Sequence, residues 1–180
     1  ERILDKEGFA DKFYDYMSRG YYSLSSPVWS NFGTKKGLPI SCNGVYISDS
    51  IESILNKVGE VLIAKRPDDK MLGGLWEFPG GKVEPEESPA TCLVREIWEE
   101  LSIGIQICKP LTPVLHAYPT KTIQLIPFLA KWESGTLQLT EHAQSQWLAP
   151  QDLLSLNWAP ADLPIVQELQ EHWDYFLGLT

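Results

Sequence analysis

The chain has 180 residues, enough for one domain that buries most of its unfolded surface, and 43% of them are hydrophobic, as in an ordinary globular core. Its 15 basic and 24 acidic residues leave a formal charge of −9, which argues against bulk nucleic-acid binding, since that needs a basic surface to displace counterions. No apolar run approaches the roughly 18 residues of a membrane helix, so no membrane partner is expected; residues 1–22 lack the features of a signal or transit peptide, which favours a cytoplasmic location.

In chain order, residues 1–39 read as an N-terminal extension of unknown role, ahead of a main domain at 40–180. Within it, "EGFADKFYDYMSRGYY" places Phe9, Phe13, Tyr16 and Met17 near helical spacing. "SLSSPVWSNFGTKKGLP" then reads as an irregular connector broken by proline and glycine. "PISCNGVYI" and "EVLIAKR" read as strands separated by the loop "DSIESILNKVGE", and "LWEF" as a third, short strand.

"SPATCLVREIWEEL" is the clearest helix. Ser88 suits the N-cap, and Pro89 suits the first helical position, where its missing N–H costs nothing. Leu93, Val94, Ile97 and Leu101 form the expected apolar stripe. "GIQICKPLTPVLHAY", "KTIQLIPFLAKW" and "SQWL" then read as strands, and "APQDLLSL" and "ADLPIVQELQEHWDYFL" as helices. This order lacks a regular βαβ alternation and predicts a compact α+β arrangement.

Cys42, Cys92 and Cys108 are an odd set at irregular spacing, expected to be thiols in a reducing compartment. His116, His142 and His172 have no ligand spacing and read as incidental; Trp132, Trp147, Trp158 and Trp173 read as packing residues.

The chemistry concentrates in "GGLWEFPGGKVEPEESPATCLVREIWEEL", residues 73–101. Glu96, Glu99 and Glu100 stand at i, i+3 and i+4, so a helix puts all three on one face. Carboxylates this close repel one another unless a cation intervenes, and hard oxygen ligands suit Mg²⁺ or Mn²⁺. A solvated acidic face relieved by Arg95 is the plainer alternative for the helix alone. The preceding "FPGGK" adds glycines that let backbone approach a ligand, and Lys82, whose charge can meet phosphate.

Gly81, five residues, Glu87, seven residues, then Arg95-Glu96-Ile97-Trp98-Glu99-Glu100 resembles the Nudix box, the signature of the Nudix hydrolase family. One position departs from it: Ser102 stands where the box has a helix-ending glycine, a change that touches fold stability rather than the ligands. "LIAKRP" and "GGLWEFPGGKVEPEE" are similar to the MutT branch, nucleoside triphosphate pyrophosphohydrolases that clear oxidised or non-standard nucleotides. The similarity runs from about residue 40 to about 172.

The resemblance implies an α+β Nudix fold, a mixed β-sheet sandwiched between helices with the Nudix loop–helix–loop. It implies divalent metal held by Glu96, Glu99 and Glu100 with the carbonyl of Gly80, Arg95 orienting the glutamates, and Glu87 pairing with Arg95. Glu141, in a loop before the last core strand, is the expected further ligand or base, with an exposed loop glutamate as the alternative. Gly81, Lys82 and Lys121 would lie along the phosphates; solvated surface lysines are the equal alternative for the last two.

Arg66 corresponds to a base-contacting arginine of that branch, and Phe78 would lie against the base ring or simply in the core. Asp162 replaces an amide of MutT. An ionised Asp only accepts hydrogen bonds and so suits an amino-bearing base edge, and "APADLP" is similar to the CTP-type enzymes. Helix capping is the alternative role for Asp162. The implied reaction is hydrolysis of a nucleoside triphosphate to monophosphate and pyrophosphate, with 8-oxo-dGTP slightly ahead of CTP or modified dCTP. Two other readings stand beside it: a module reading 8-oxoguanine, like the MutT-like domain of adenine DNA glycosylases, and a Nudix enzyme of another nucleoside diphosphate derivative. No residue pattern addresses oligomeric state.

Overall fold

The structure is a computed structural model that describes the backbone of residues 40–47 and residues 59–177. The expected extension at 1–39 and the loop at 48–58 lie outside the described residues. The described elements are β1 (Ile40–Ile47), β2 (Val61–Lys65), β3 (Trp76–Glu77), β4 (Gly80–Lys82), α1 (Pro89–Leu101), β5 (Ile103–Pro110), β6 (Val114–Ala117), β7 (Thr122–Gly135), β8 (Gln144–Leu148), a 3₁₀ segment (Pro150–Ser155) and α2 (Leu163–Leu177).

The strands form one mixed sheet. Its main path is β3-β2-β1-β7-β5, with β4 paired to β1, β6 to β7 and β8 to β2. The β1–β7 pair is parallel, from Ile40 opposite Gln124 to Ile47 opposite Lys131, and the remaining pairs are antiparallel.

Val61–Ala64 is a continuous apolar run because β2 is covered on both faces. Val61 and Ile63 join a cluster with Phe78, Leu125, Leu129, Ile165, Val166 and Leu169, which seats α2 on one face of the sheet. Leu62 and Ala64 point the other way and are equally buried. On that side α1 packs against β1, β4 and β5 through the fully buried Leu93, Ile97 and Leu101. The expected sheet between helices is therefore the observed one.

Helix α1 begins as its sequence predicts. The Ser88 hydroxyl accepts from Thr91 N at 3.1 Å, and Pro89 opens the helix. It ends at Ser102, which takes the left-handed conformation (φ 57°) and donates its N–H to Trp98 O at 3.0 Å.

Several expectations are corrected. Val94 is 42% exposed, so the apolar stripe is Ala90, Leu93, Ile97 and Leu101 without it. The "GGK" of the loop is not free coil but the short strand β4, with Gly81 opposite Cys42 and Gly80 opposite Asn43. The run at 104–118 is two strands, and Thr112-Pro113 separates them, as proline cannot donate to a ladder. Residues 150–155 form a 3₁₀ segment, and α2 is kinked at His172 (φ −124°).

Cys108 keeps its thiol, but the fully buried Cys92 is disulfide-bonded, contrary to the expectation of three thiols; it lies on the helix that packs against the sheet. Trp158 is core, as expected, and donates to Leu153 O at 2.7 Å. Trp132 and Trp147 are only partly buried and stack on each other at 6.3 Å.

A non-glycine residue in the left-handed region costs roughly 1 kcal/mol relative to glycine. Ser102→Gly is therefore expected to stabilise the fold by about that amount and leave kcat unchanged, read by urea denaturation alongside steady-state rates.

Candidate active site

Helix α1, the loop ahead of it and the 138–143 loop meet at the turn bearing the glutamates. Arg95 organises that turn. Its Nε and Nη2 donate to the two carboxyl oxygens of Glu87, both at 2.9 Å, a bidentate fork. Its Nη1 reaches Glu96 at 3.0 Å and Glu99 at 3.2 Å, and Nη2 also donates to Lys82 O at 3.3 Å. The guanidinium bond holds Glu87 below the usual carboxylate range, and the same carboxylates push Arg95 upward. The predicted Arg95–Glu87 pair is thus formed, and it ties the loop to the helix.

Gly81 lies directly against Glu96. A Cβ at Gly81 would overlap the Glu96 carboxyl group, so a larger residue there would have to push that carboxyl aside.

Glu100 differs from the other two. It is only 9% exposed, and its Oε2 has no hydrogen-bond partner among the described residues. Burial pushes its carboxyl up from 4.5 to about 7; His142 opposes that shift, while Glu96, Glu141 and Glu77 add to it. The shared face read from the sequence does not expose the three alike: Glu99 is exposed, Glu96 half-buried and Glu100 buried.

The 138–143 loop is tied to the end of α1. Gln138 N donates to Leu101 O at 2.9 Å, Thr140 N to Glu100 O at 3.0 Å, and Thr140 Oγ1 to the Glu99 and Glu100 carbonyls at 2.9 and 3.0 Å. Glu141 follows at once, exposed and close enough to raise Glu100. His142, read as incidental in the sequence, is instead within this cluster: its Nε2 meets Glu77 Oε1 at 3.2 Å. Burial lowers its basicity, but the Glu77 hydrogen bond and the charges of Glu100 and Glu77 outweigh that and leave it raised.

The base-side residues are placed less as expected. Arg66 Nη1 is paired with Glu77 at 2.6 Å, and its Nε donates to Met71 O at 2.8 Å. Phe78 is 1% exposed and packs on Trp158 at 4.8 Å, so it is a core residue. Asp162 is 3% exposed and its Oδ1 accepts from Phe78 N at 3.2 Å, while its carbonyl opens α2 by accepting from Ile165 and Val166. Tyr118, absent from the sequence reading, belongs here. Burial raises its phenol, as do Asp162 and Glu77, while Ala161 and Arg66 oppose. Only its aromatic place after β6 could have signalled it. Lys82 and Lys121 are exposed.

Among the described residues no three acidic, imidazole or thiol side chains form a ready-made metal cage; Arg95 lies between Glu96 and Glu99. The donor set still fits a hard divalent cation: oxygen ligands dominate, and the buried Glu100 Oε2 is an acceptor without a partner.

This combination of a mixed sheet, a glycine loop packed on a glutamate helix, and an arginine fork across it defines a class of hydrolase. The chain belongs to the NUDIX domain family, which matches residues 53–168, and members of this family generally use divalent metal ions. It is 37% identical to a CTP pyrophosphohydrolase of Escherichia coli over 65% of this chain and 87% of that one. It is 43% identical to an 8-oxo-dGTP diphosphatase of Proteus vulgaris over 49% of this chain and 77% of that one. The solution structure of the E. coli ORF135 protein superposes with a TM-score of 0.64 at 32% identity, covering 75% of this chain and 90% of that one.

Two expectations follow. Gly81→Ala displaces the Glu96 carboxyl group and lowers kcat by at least about 10-fold while circular dichroism stays unchanged. The second concerns pH. Glu100 holds its proton up to about 7 when folded and releases it near 4.5 when unfolded, so its contribution is full below 4.5 and lost as pH rises through 7. In EDTA, the Tm of Glu100→Gln is expected to fall less than that of the parent between about pH 5 and about pH 8.

Proposed function

We propose that the chain hydrolyses nucleoside triphosphates to nucleoside monophosphate and pyrophosphate with Mg²⁺, or Mn²⁺ in its place. The observation that carries this reading is Glu100: a carboxyl group buried among Glu77, Glu96 and Glu141, with an unpartnered oxygen. Such a group is costly unless a proton or cation meets it. Glu96, Glu99, Glu100, Glu141 and the Gly80 carbonyl would hold the metal. When bound, it would neutralise phosphate charge and lower the pKa of a coordinated water.

The residues supply the rest. Arg95 holds Glu96 and Glu99 in place through Nη1 and would release part of that contact to a stronger cation. The glycine backbone admits the polyphosphate beside Glu96, and the exposed Lys82 and Lys121 face solvent where its charged chain would lie. Water oxygen forms a bond to an inner phosphorus, the bridging P–O bond breaks, pyrophosphate leaves with the electron pair, and a carboxylate accepts the water proton. Glu141, exposed beside Glu100, is the candidate acceptor.

For the base, Asp162 is a buried acceptor whose charge is felt by Tyr118. It suits an edge that donates: cytosine N4, or the N1–H and N2 amino group of an oxidised guanine. A relative named for each base class supports this pair of candidates.

The test is a panel of 8-oxo-dGTP, CTP, dCTP, 5-methyl-dCTP and the ordinary triphosphates, read by pyrophosphate release. Turnover confined to one or two donor-edged bases and abolished by EDTA is expected. Release of orthophosphate alone, or full activity in EDTA, refutes the reading. Glu99→Gln and Glu100→Gln are expected to lose at least about 100-fold in kcat yet remain folded. Asp162→Asn is expected to change relative kcat/KM across the panel without moving the Mg²⁺ dependence; identical relative rates remove Asp162 from the pocket.

A further inference from the structure

A chain of contacts runs from the base side to the glutamates. Arg66 Nη1 pairs with Glu77 Oε2 at 2.6 Å, and Glu77 Oε1 meets His142 Nε2 at 3.2 Å. A carboxylate only accepts, so Nε2 carries the hydrogen and Nδ1 is left as the ring's second nitrogen. The His142 side chain is only 5% exposed. Its Nδ1 and Glu100 Oε2 are two of the three buried side-chain atoms without a partner among the described residues, and each group acts on the other electrostatically. His142 also sits in the backbone between two anchors. Thr140 is bound to the Glu99 and Glu100 carbonyls, and Ala143 N donates to Lys65 O at 2.9 Å. Glu141 is the residue enclosed between Thr140 and His142.

We propose that His142 is a positioning residue: anchored on the Arg66–Glu77 pair, it fixes the orientation of Glu141 and presents its second nitrogen towards Glu100. The proposal rests on the pyrophosphohydrolase reading for its rate consequences, but its metal-binding consequence is independent of turnover. A ring that offers two nitrogens on opposite edges of one rigid plane can meet Glu77 on one side and the glutamate cluster on the other. A single-ended side chain cannot do both. The ordinary alternative is that His142 only fills space under the loop, and the Glu77 contact alone would then suffice.

The two roles separate by substitution. His142→Gln keeps a donor near the Nε2 position for Glu77 and lacks the Nδ1 group; His142→Asn keeps a polar atom near Nδ1 and cannot reach Glu77; His142→Ala lacks both. Each variant is measured for Tm in EDTA, for the Mn²⁺ concentration giving half of the maximal thermal shift, and for kcat and KM with the best nucleotide of the panel.

Positioning predicts that His142→Gln keeps the Tm of the parent, loses about 10-fold in kcat with little change in KM, and raises the Mn²⁺ midpoint several-fold. A His142→Gln protein with the parent's kcat and Mn²⁺ midpoint overturns the proposal, whatever the alanine variant does. Should His142→Ala not fold, Glu77→Gln tests the same chain from its other end: it keeps an acceptor for Nε2 but drops the charge paired with Arg66, and a raised Mn²⁺ midpoint is expected. A parent protein that turns over no triphosphate refutes the functional reading, while an unchanged Mn²⁺ midpoint in His142→Gln refutes this one.

Discussion

The arginine fork at Arg95 is the interaction on which the site depends. Three glutamates in five residues would repel and fray the end of α1. Arg95 meets two of them, Glu96 and Glu99, and spends its bidentate face on Glu87, eight residues upstream. That choice turns a local charge problem into a tertiary constraint, because Glu87 and the Lys82 carbonyl both belong to the loop before the helix. Holding that loop down brings β4 against β1 and sets Gly81 on Glu96. A lysine could neutralise the same charge but has no fork with which to bind loop and helix together.

Glu100 lies outside the reach of that fork, and the difference has consequences. Glu96 and Glu99 share the positive charge of Arg95 with Glu87, so their repulsion is partly offset by the protein itself. Glu100 is buried, faces His142, Glu77, Glu96 and Glu141, and is left to a proton or a metal. The glutamate turn is therefore divided between carboxylates that the protein stabilises itself and one that it leaves dependent on what binds. Metal binding at such a group displaces a proton near neutrality, which links occupancy to pH.

Much of this was legible in the sequence because it is local. Ser88-Pro89 announces the start of α1, Ser102 marks its end, and the Gly81–Glu87–Arg95 spacing carries the loop–helix–loop with its ion pair. Local pattern fails where a residue's environment comes from a distant segment. Val94 has helical spacing with Leu93 and Ile97, yet the sheet meets the helix on the Leu93–Leu101 line and leaves Val94 to solvent. Gly80–Lys82 has no strand signature; only the edge of β1 makes it one. Arg66, read as a base contact, has Glu77 as its partner, which the β2–β3 pairing sets opposite Ala64, two residues before Arg66. His142 shows no ligand spacing because its partners lie 65 and 42 positions back in the chain.

That same pairing gives the base side and the phosphate side a common mechanical element. Glu77 is bonded to Arg66 and His142, while its neighbour Phe78 gives its N–H to Asp162, the buried acceptor beside Tyr118. The strand–loop segment Trp76–Phe78 thus contacts the glutamate cluster through one residue and the buried Asp162 through the next. Trp76 is pinned as well, its N–H to Asn157 O at 2.9 Å and its carbonyl to Ala159 N at 2.8 Å. A base that seats badly against Asp162 would disturb Phe78 N, and Glu77 would feel the shift one peptide away. If Asp162 meets the base as proposed, discrimination would appear in kcat as well as in KM, because the segment that gives its N–H to Asp162 also contacts the glutamate cluster.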